Sequence, residues 1–172
     1  MLLAGMNTIL VPTDFSEAAE QALQAAIELA RIWTSSIELL HVSDDPTFVA
    51  MPPGGILPFP VDLDESMSKD NDQLTKAAER VRRLGIECTT STSSGRTHVE
   101  IVDHAIKVSA GLITMGTHEH HGVSSTFLGS VAEKVLRHAP CPVLVVPLLS
   151  GAAEERAKGF SSLISEAPLE TA

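Results

Sequence analysis

Short apolar, β-branched runs alternate along this chain with longer stretches whose apolar residues recur every three or four positions. "NTILVP" (7–12) opens the series and reads as a strand buried on both faces. Ala19, Leu23, Ala26, Ile27 and Ala30 follow at helical spacing, after "TDFSE", in which Asp14 or Ser16 can cap the helix. "SIELLHV" (36–42) is a second strand. Leu74, Ala77, Ala78, Val81 and Leu84 mark a second helix, stopped by Gly85. "IECTTS" (86–91) is a third strand. "THVE" (97–100) has the form of a capping box and starts a helix through about Val108. "LITM" (112–115) is a fourth strand. Val131, Val135 and Leu136 mark a helix that ends near "HAP", and "PVLVV" (142–146) is a fifth strand. Strict strand–helix alternation predicts an α/β fold: a five-stranded, doubly wound parallel sheet with helices on both faces. Ligands of such sheets bind beyond the strand carboxyl ends, near the point where strand order reverses. The segments at Pro12–Ser16, from Ser43 onward and from Gly116 onward all fall at that edge.

Two stretches break the rhythm. Residues 44–66 carry five prolines and a Gly-Gly pair, which predicts a long loop overhanging the end of the second strand. Residues 149–172 have no strong period and read as a polar, flexible tail. The expected organisation is one domain over residues 1–148, followed by that tail.

Composition narrows the function. Hydrophobic residues make up 44% and charged residues 20% of the chain, with few aromatics, so the core must be built from Ala, Val, Ile and Leu. The formal net charge of −10 disfavours nucleic acid as a partner. No apolar run approaches the roughly 18 residues of a membrane span, and the start "MLLAGMNTIL" lacks the features of a signal peptide. The expected location is cytoplasmic. Cys88 and Cys141 form neither a CxxC nor a disulfide framework, and read as small buried hydrophobes in a reducing compartment.

The chemistry concentrates in "MGTHEHHGVSSTFLGS" (115–130). Its glycines and hydroxyls suit a phosphate cradle, in which backbone N–H groups at a helix start meet an anion. Gly129 and Ser130 would supply those donors; a plain Gly-Ser helix start explains them equally. His118, His120 and His121 stand one and two residues apart, a poor spacing for one tetrahedral metal because adjacent side chains diverge. They read as a solvated, pH-sensitive loop, and no metal site is expected. A G-x-S-x-G elbow, a P-loop Lys and an H-E-x-x-H helix are all missing from the sequence, so no catalytic residues are assigned.

"ILVPTDFSE", "LITMGTHEHHG" and "LGSVAEKVLRHAPCPVLVVP" together resemble the universal stress protein family, over roughly residues 6–148. The resemblance implies a five-stranded doubly wound sheet, a homodimer and a role in stress adaptation through unknown protein partners. Family members that bind ATP carry Gly-x-x-Gly, nine residues, then Gly-Ser/Thr. Here Gly116, His120–Leu128 and Gly129-Ser130 keep that register, but the second glycine is Glu119. By resemblance, Pro12, Thr13, Asp14, Val42 and Met115 border the nucleoside. Gly116, Glu119, Gly129, Ser130 and Val131 surround the phosphates. Asp14 is also explained as a helix cap, and Val42 and Met115 as core. A carboxylate about 5 Å from a phosphate charge costs roughly 3 kcal/mol at an effective dielectric near 20. ATP, with Mg²⁺ or Mn²⁺, is therefore expected to bind weakly or not at all. The alternatives are a member without nucleotide that acts through dimerisation and protein contacts, and a slow nucleotide hydrolase. The apolar strand at 142–147 is the expected dimer contact.

Overall fold

Five strands, β1 (Thr8–Thr13), β2 (Ser36–Ser43), β3 (Cys88–Ser94), β4 (Leu112–Thr117) and β5 (Val143–Pro147), form one sheet in the order β3-β2-β1-β4-β5. The computed structural model describes residues 7–43, 63–117 and 129–148, without the side chains of 63–67. Every strand pair is parallel. The helices are α1 (Glu17–Trp33), α2 (Leu63–Arg83), α3 (Thr97–Lys107) and α4 (Ser130–His138). The chain builds outward from β1 to β3, then crosses back to β4. Right-handed crossovers in opposite directions put α1 and α2 on one face and α3 and α4 on the other. The core accordingly has two halves. Ile9, Val11, Ile37 and Leu39 pack against Leu23 and Ile27 of α1 and Leu74 and Val81 of α2. Leu10, Leu40, Ile113 and Met115 pack against Ile101 of α3 and Val135 of α4. The fold class is the one that the strand–helix alternation implies.

Local details depart from the sequence reading in four places. The 44–66 segment is not loop throughout: α2 begins at Leu63. After Pro60 no breaker remains, and Asp64 and Glu65 suit the positive end of a helix. Residues 44–62 and 149–172 lie outside the described residues, so neither the overhang nor the tail is addressed.

Strand β3 begins at Cys88 and runs on through the polar Thr92–Ser94, because β2 offers pairing up to Ser43↔Ser94. "THVE" does not form a capping box. The N-cap of α3 is Arg96, without a side-chain cap bond, and the Glu100 carboxylate accepts from Ser93 Oγ instead. Leu84 and Leu136 are exposed at 45% and 43%. The buried face of α4 is Ala132 and Val135, one step off the face that Leu136 marked.

Both cysteines are free. Cys88 is buried and Cys141 half-buried. Burial, with the Glu38 charge adding and the Arg82 charge opposing, pushes the Cys88 thiol up to about 11. It behaves as a small core residue rather than a nucleophile.

Candidate functional site: a crevice where strand order reverses

Strands β1 and β4 are neighbours in space but not in sequence. Their register pairs are Ile9↔Leu112 and Leu10↔Ile113 only, although both strands run several residues further. Above that level they part from each other, while β1 stays paired with β2 through Thr13 and β4 with β5 through Thr117. A cavity of about 230 Å³ opens there, between the ends of β1, β2 and β4 and the first turns of α3 and α4. Of the ten residues singled out in the sequence, nine line this cavity: Pro12, Thr13, Asp14, Val42, Met115, Gly116, Gly129, Ser130 and Val131. Glu119 lies outside the described residues, as do His118, His120 and His121. Among the described residues, no group of three or more His, Cys, Asp or Glu is placed to hold a metal.

The β1–α1 turn is fixed by its own side chains. Ser16 is the N-cap of α1, and its hydroxyl accepts from the Ala19 N–H at 3.2 Å. Asp14 does not cap the helix; its Oδ1 accepts from the Ser16 N–H at 3.0 Å, one step earlier. The Phe15 N–H donates to Thr13 Oγ1 at 3.0 Å. These bonds hold Thr13, Asp14 and Ser16 at the cavity edge.

Gly116 has a packing reason that the sequence does not show. A Cβ at this position would lie 2.3 Å from the Ala18 carbonyl oxygen and 2.4 Å from its carbon. The bare backbone lets α1 close onto β4, and the cavity inherits the resulting shape. The Gly129 N–H is also occupied. It donates to Thr117 Oγ1 at 3.1 Å, a contact the sequence did not reveal. The first intrahelical bond of α4 runs from the Glu133 N–H to the Gly129 carbonyl. The N–H groups of Ser130, Val131 and Ala132 thus have no acceptor inside the helix, and all three residues line the cavity.

Sequence reasoning missed the contribution of α3. Thr97 and Ile101 line the cavity wall, and Arg96 precedes them at the N-cap. Partial desolvation lowers the His98 pKa, with Lys134, His138 and Arg96 pushing the same way. "THVE" carried the signal for a helix start, but nothing local in it says which strands it will stand over.

The architecture and crevice define the class: a doubly wound α/β protein with a cavity at the strand-order reversal. The model of the universal stress protein family matches residues 6–147. A universal stress protein of Methanocaldococcus jannaschii is 35% identical over 139 residues, covering 80% of each chain. One from Bacillus subtilis is 30% identical over 145 residues, covering 81% of this chain and 98% of that one. A crystal structure of a family protein from Burkholderia pseudomallei superposes with a TM-score of 0.66 at 29% identity, covering 84% of this chain and 98% of that one. A structure from Archaeoglobus fulgidus in complex with dAMP superposes at 0.56 and 24% identity, covering 81% and 96%, a likeness of fold alone. The chain belongs to the universal stress protein family.

Proposed function

We propose that this chain is a regulatory protein of stress adaptation that takes an adenine nucleotide in the crevice, weakly. The observation that carries this reading is the convergence of the family's motif positions on one cavity, with three N–H groups at the start of α4 lining it. A helix N-terminus of this kind favours an anion. Family neighbours hold dAMP and cAMP, which supports the ligand class. The base and sugar would sit among Pro12, Thr13, Asp14, Val42 and Met115. The phosphates would sit at Gly116, Gly129, Ser130 and Val131, with Mg²⁺ or Mn²⁺ accompanying ATP. Glu119 weakens the site by adding negative charge and bulk where the motif has a glycine.

A second reading has one observation behind it. The Gly129 N–H already donates to Thr117, so one cradle donor is used internally. That favours a member acting through dimerisation and protein partners alone. The proposed dimer contact in either case is the edge strand at 142–147, and the proposed setting is cytoplasmic. Equilibrium dialysis with ATP decides between the two. The nucleotide reading expects saturable binding with a Kd above about 10 μM. Absence of saturable binding at millimolar ATP would overturn it in favour of the second.

A further inference from the structure

His41 sits on the sheet face opposite the cavity. It alternates along β2 with Leu40 and Val42, which line the cavity, so its ring projects toward α1 and α2. Three contacts hold it there. Nδ1 is 2.9 Å from the Thr13 carbonyl oxygen. Nε2 is 3.5 Å from Asp70 Oδ2 on α2. The ring stacks on Phe15, with centroids 4.7 Å apart and planes 28° from parallel. Phe15 itself is held at φ 61°, a conformation uncommon for a bulky residue.

The chemistry of the ring follows from its partners. A carbonyl oxygen only accepts, so Nδ1 carries a proton. Nε2 then faces a carboxylate. A neutral ring turns a lone pair toward Asp70, whereas an imidazolium turns an N–H toward it. Both contacts are attractive only when the ring is protonated.

We propose that His41 is the positioning residue of the nucleotide crevice, and that its protonation is linked to ligand binding. The proposal rests on the nucleotide reading above. The mechanism lies in one peptide unit. The Thr13–Asp14 bond is trans, so its C=O and N–H point in opposite directions. Tying the C=O to His41 on the α2 side turns the Asp14 N–H toward the cavity side, at the position where the nucleoside would lie. His41 thus sets the cavity edge without touching the ligand.

Among the described residues, the charged groups around the ring are these. From α2 it meets Asp70. Its register neighbours on β1 and β3 are Thr13 and Thr92, neither of which titrates in this range. The β1–α1 turn adds Asp14, bonded to the Ser16 N–H. On α1, Glu20 is paired with Arg80 of α2.

The test has two arms. In the first, long-range proton–nitrogen spectra of histidine-labelled protein report the ring's tautomer without any ligand. A protonated Nδ1 throughout the titration is expected, together with a displaced Asp14 amide resonance in His41→Leu. In the second, ATP is titrated into wild type, His41→Asn and His41→Leu at about pH 6 and about pH 8. The asparagine amide can still donate to the Thr13 oxygen but does not titrate. Wild type should lose about fivefold to tenfold more affinity than His41→Asn between the two pH values, and His41→Leu should be weaker by a similar factor at both. The titration of ATP itself is common to all three and cancels. An Nε2–H tautomer overturns the positioning role whether or not ATP binds. Equal pH dependence in wild type and His41→Asn overturns the linkage. Wild type that binds no ATP overturns the nucleotide reading and the linkage together, while the first arm still decides the Thr13 contact.

Discussion

Gly116 shows how a residue can be legible in kind and not in cause. The sequence marks it as a site glycine through the resemblance alone, in a motif that concerns the loop. The structure instead sets its missing Cβ against the Ala18 backbone, a contact between segments almost a hundred positions apart that no local pattern encodes. Gly116→Ala forces α1 away from β4, because the clashing atoms are backbone and cannot rotate aside. A loss of about 1–3 kcal/mol in urea unfolding is expected, with the proposed nucleotide binding weakened in parallel. An unchanged midpoint would mean that α1 yields freely and that the close approach carries no weight. Asp14 and Ser16 were interchangeable as caps on the sequence alone. Only the geometry separates the residue that caps α1 from the one that makes the preceding turn, since both side chains suit either task.

At the scale of the element, the α3–sheet contact holds a polar group that hydrophobic patterning does not register. Glu38, in the middle of β2, is 5% exposed and His104 of α3 is 8% exposed. His104 Nε2 is 2.9 Å from Glu38 Oε1, and Ser91 Oγ donates to the same oxygen at 2.6 Å. Thr89 Oγ1 donates to Oε2. Burial alone would raise the Glu38 pKa. The bonds from Ser91, Thr89 and His104, and the charge of His104, outweigh it and hold the carboxyl below its ordinary value. Removing His104 leaves a buried carboxylate short of a partner, and His104→Ala should cost about 3 kcal/mol.

The pH dependence follows from the same direction of shift. A carboxyl depressed in the folded state binds its proton more readily when unfolded. Its stabilisation is therefore present above the unfolded pKa and disappears as pH falls through the folded one. Melting temperatures should drop between about pH 5 and about pH 3, and Glu38→Gln should flatten that part of the profile. A wild-type slope kept in full by Glu38→Gln would place the acid lability elsewhere. Strand β3 was hard to bound for a related reason. Its Thr and Ser residues face this polar seam and the solvent, so they look like loop to any reading based on apolar alternation.

On the scale of the whole molecule, the fold was readable because it depends on order: strand, helix, strand, with each apolar run short and each helical stripe long. Handedness sets the face on which each helix lies, but the strand order β3-β2-β1-β4-β5, and with it the position of the crevice, comes from the structure. What stayed hidden were the contacts that fold-level rules do not specify: Thr117 on Gly129, α3 over the cavity, and His41 behind it. The edge strand β5 has a side chain, Leu144, that is 37% exposed, next to half-buried Val143, Val145 and Val146. An apolar edge of this kind pairs with its own copy unless something covers it. Light scattering at micromolar concentration should give twice the 18.3 kDa chain mass, and Leu144→Lys should shift it toward the monomer. A monomeric wild type would remove β5 as an interface.

Calorimetry of ATP binding to wild type and Glu119→Gly tests the proposed weakening of a nucleotide crevice by Glu119 most directly. The proposal predicts that the substitution strengthens binding by about ten- to a hundredfold, from a wild-type Kd above about 10 μM. Equal affinities in the two proteins, whether both in the low micromolar range or both undetectable, would contradict it.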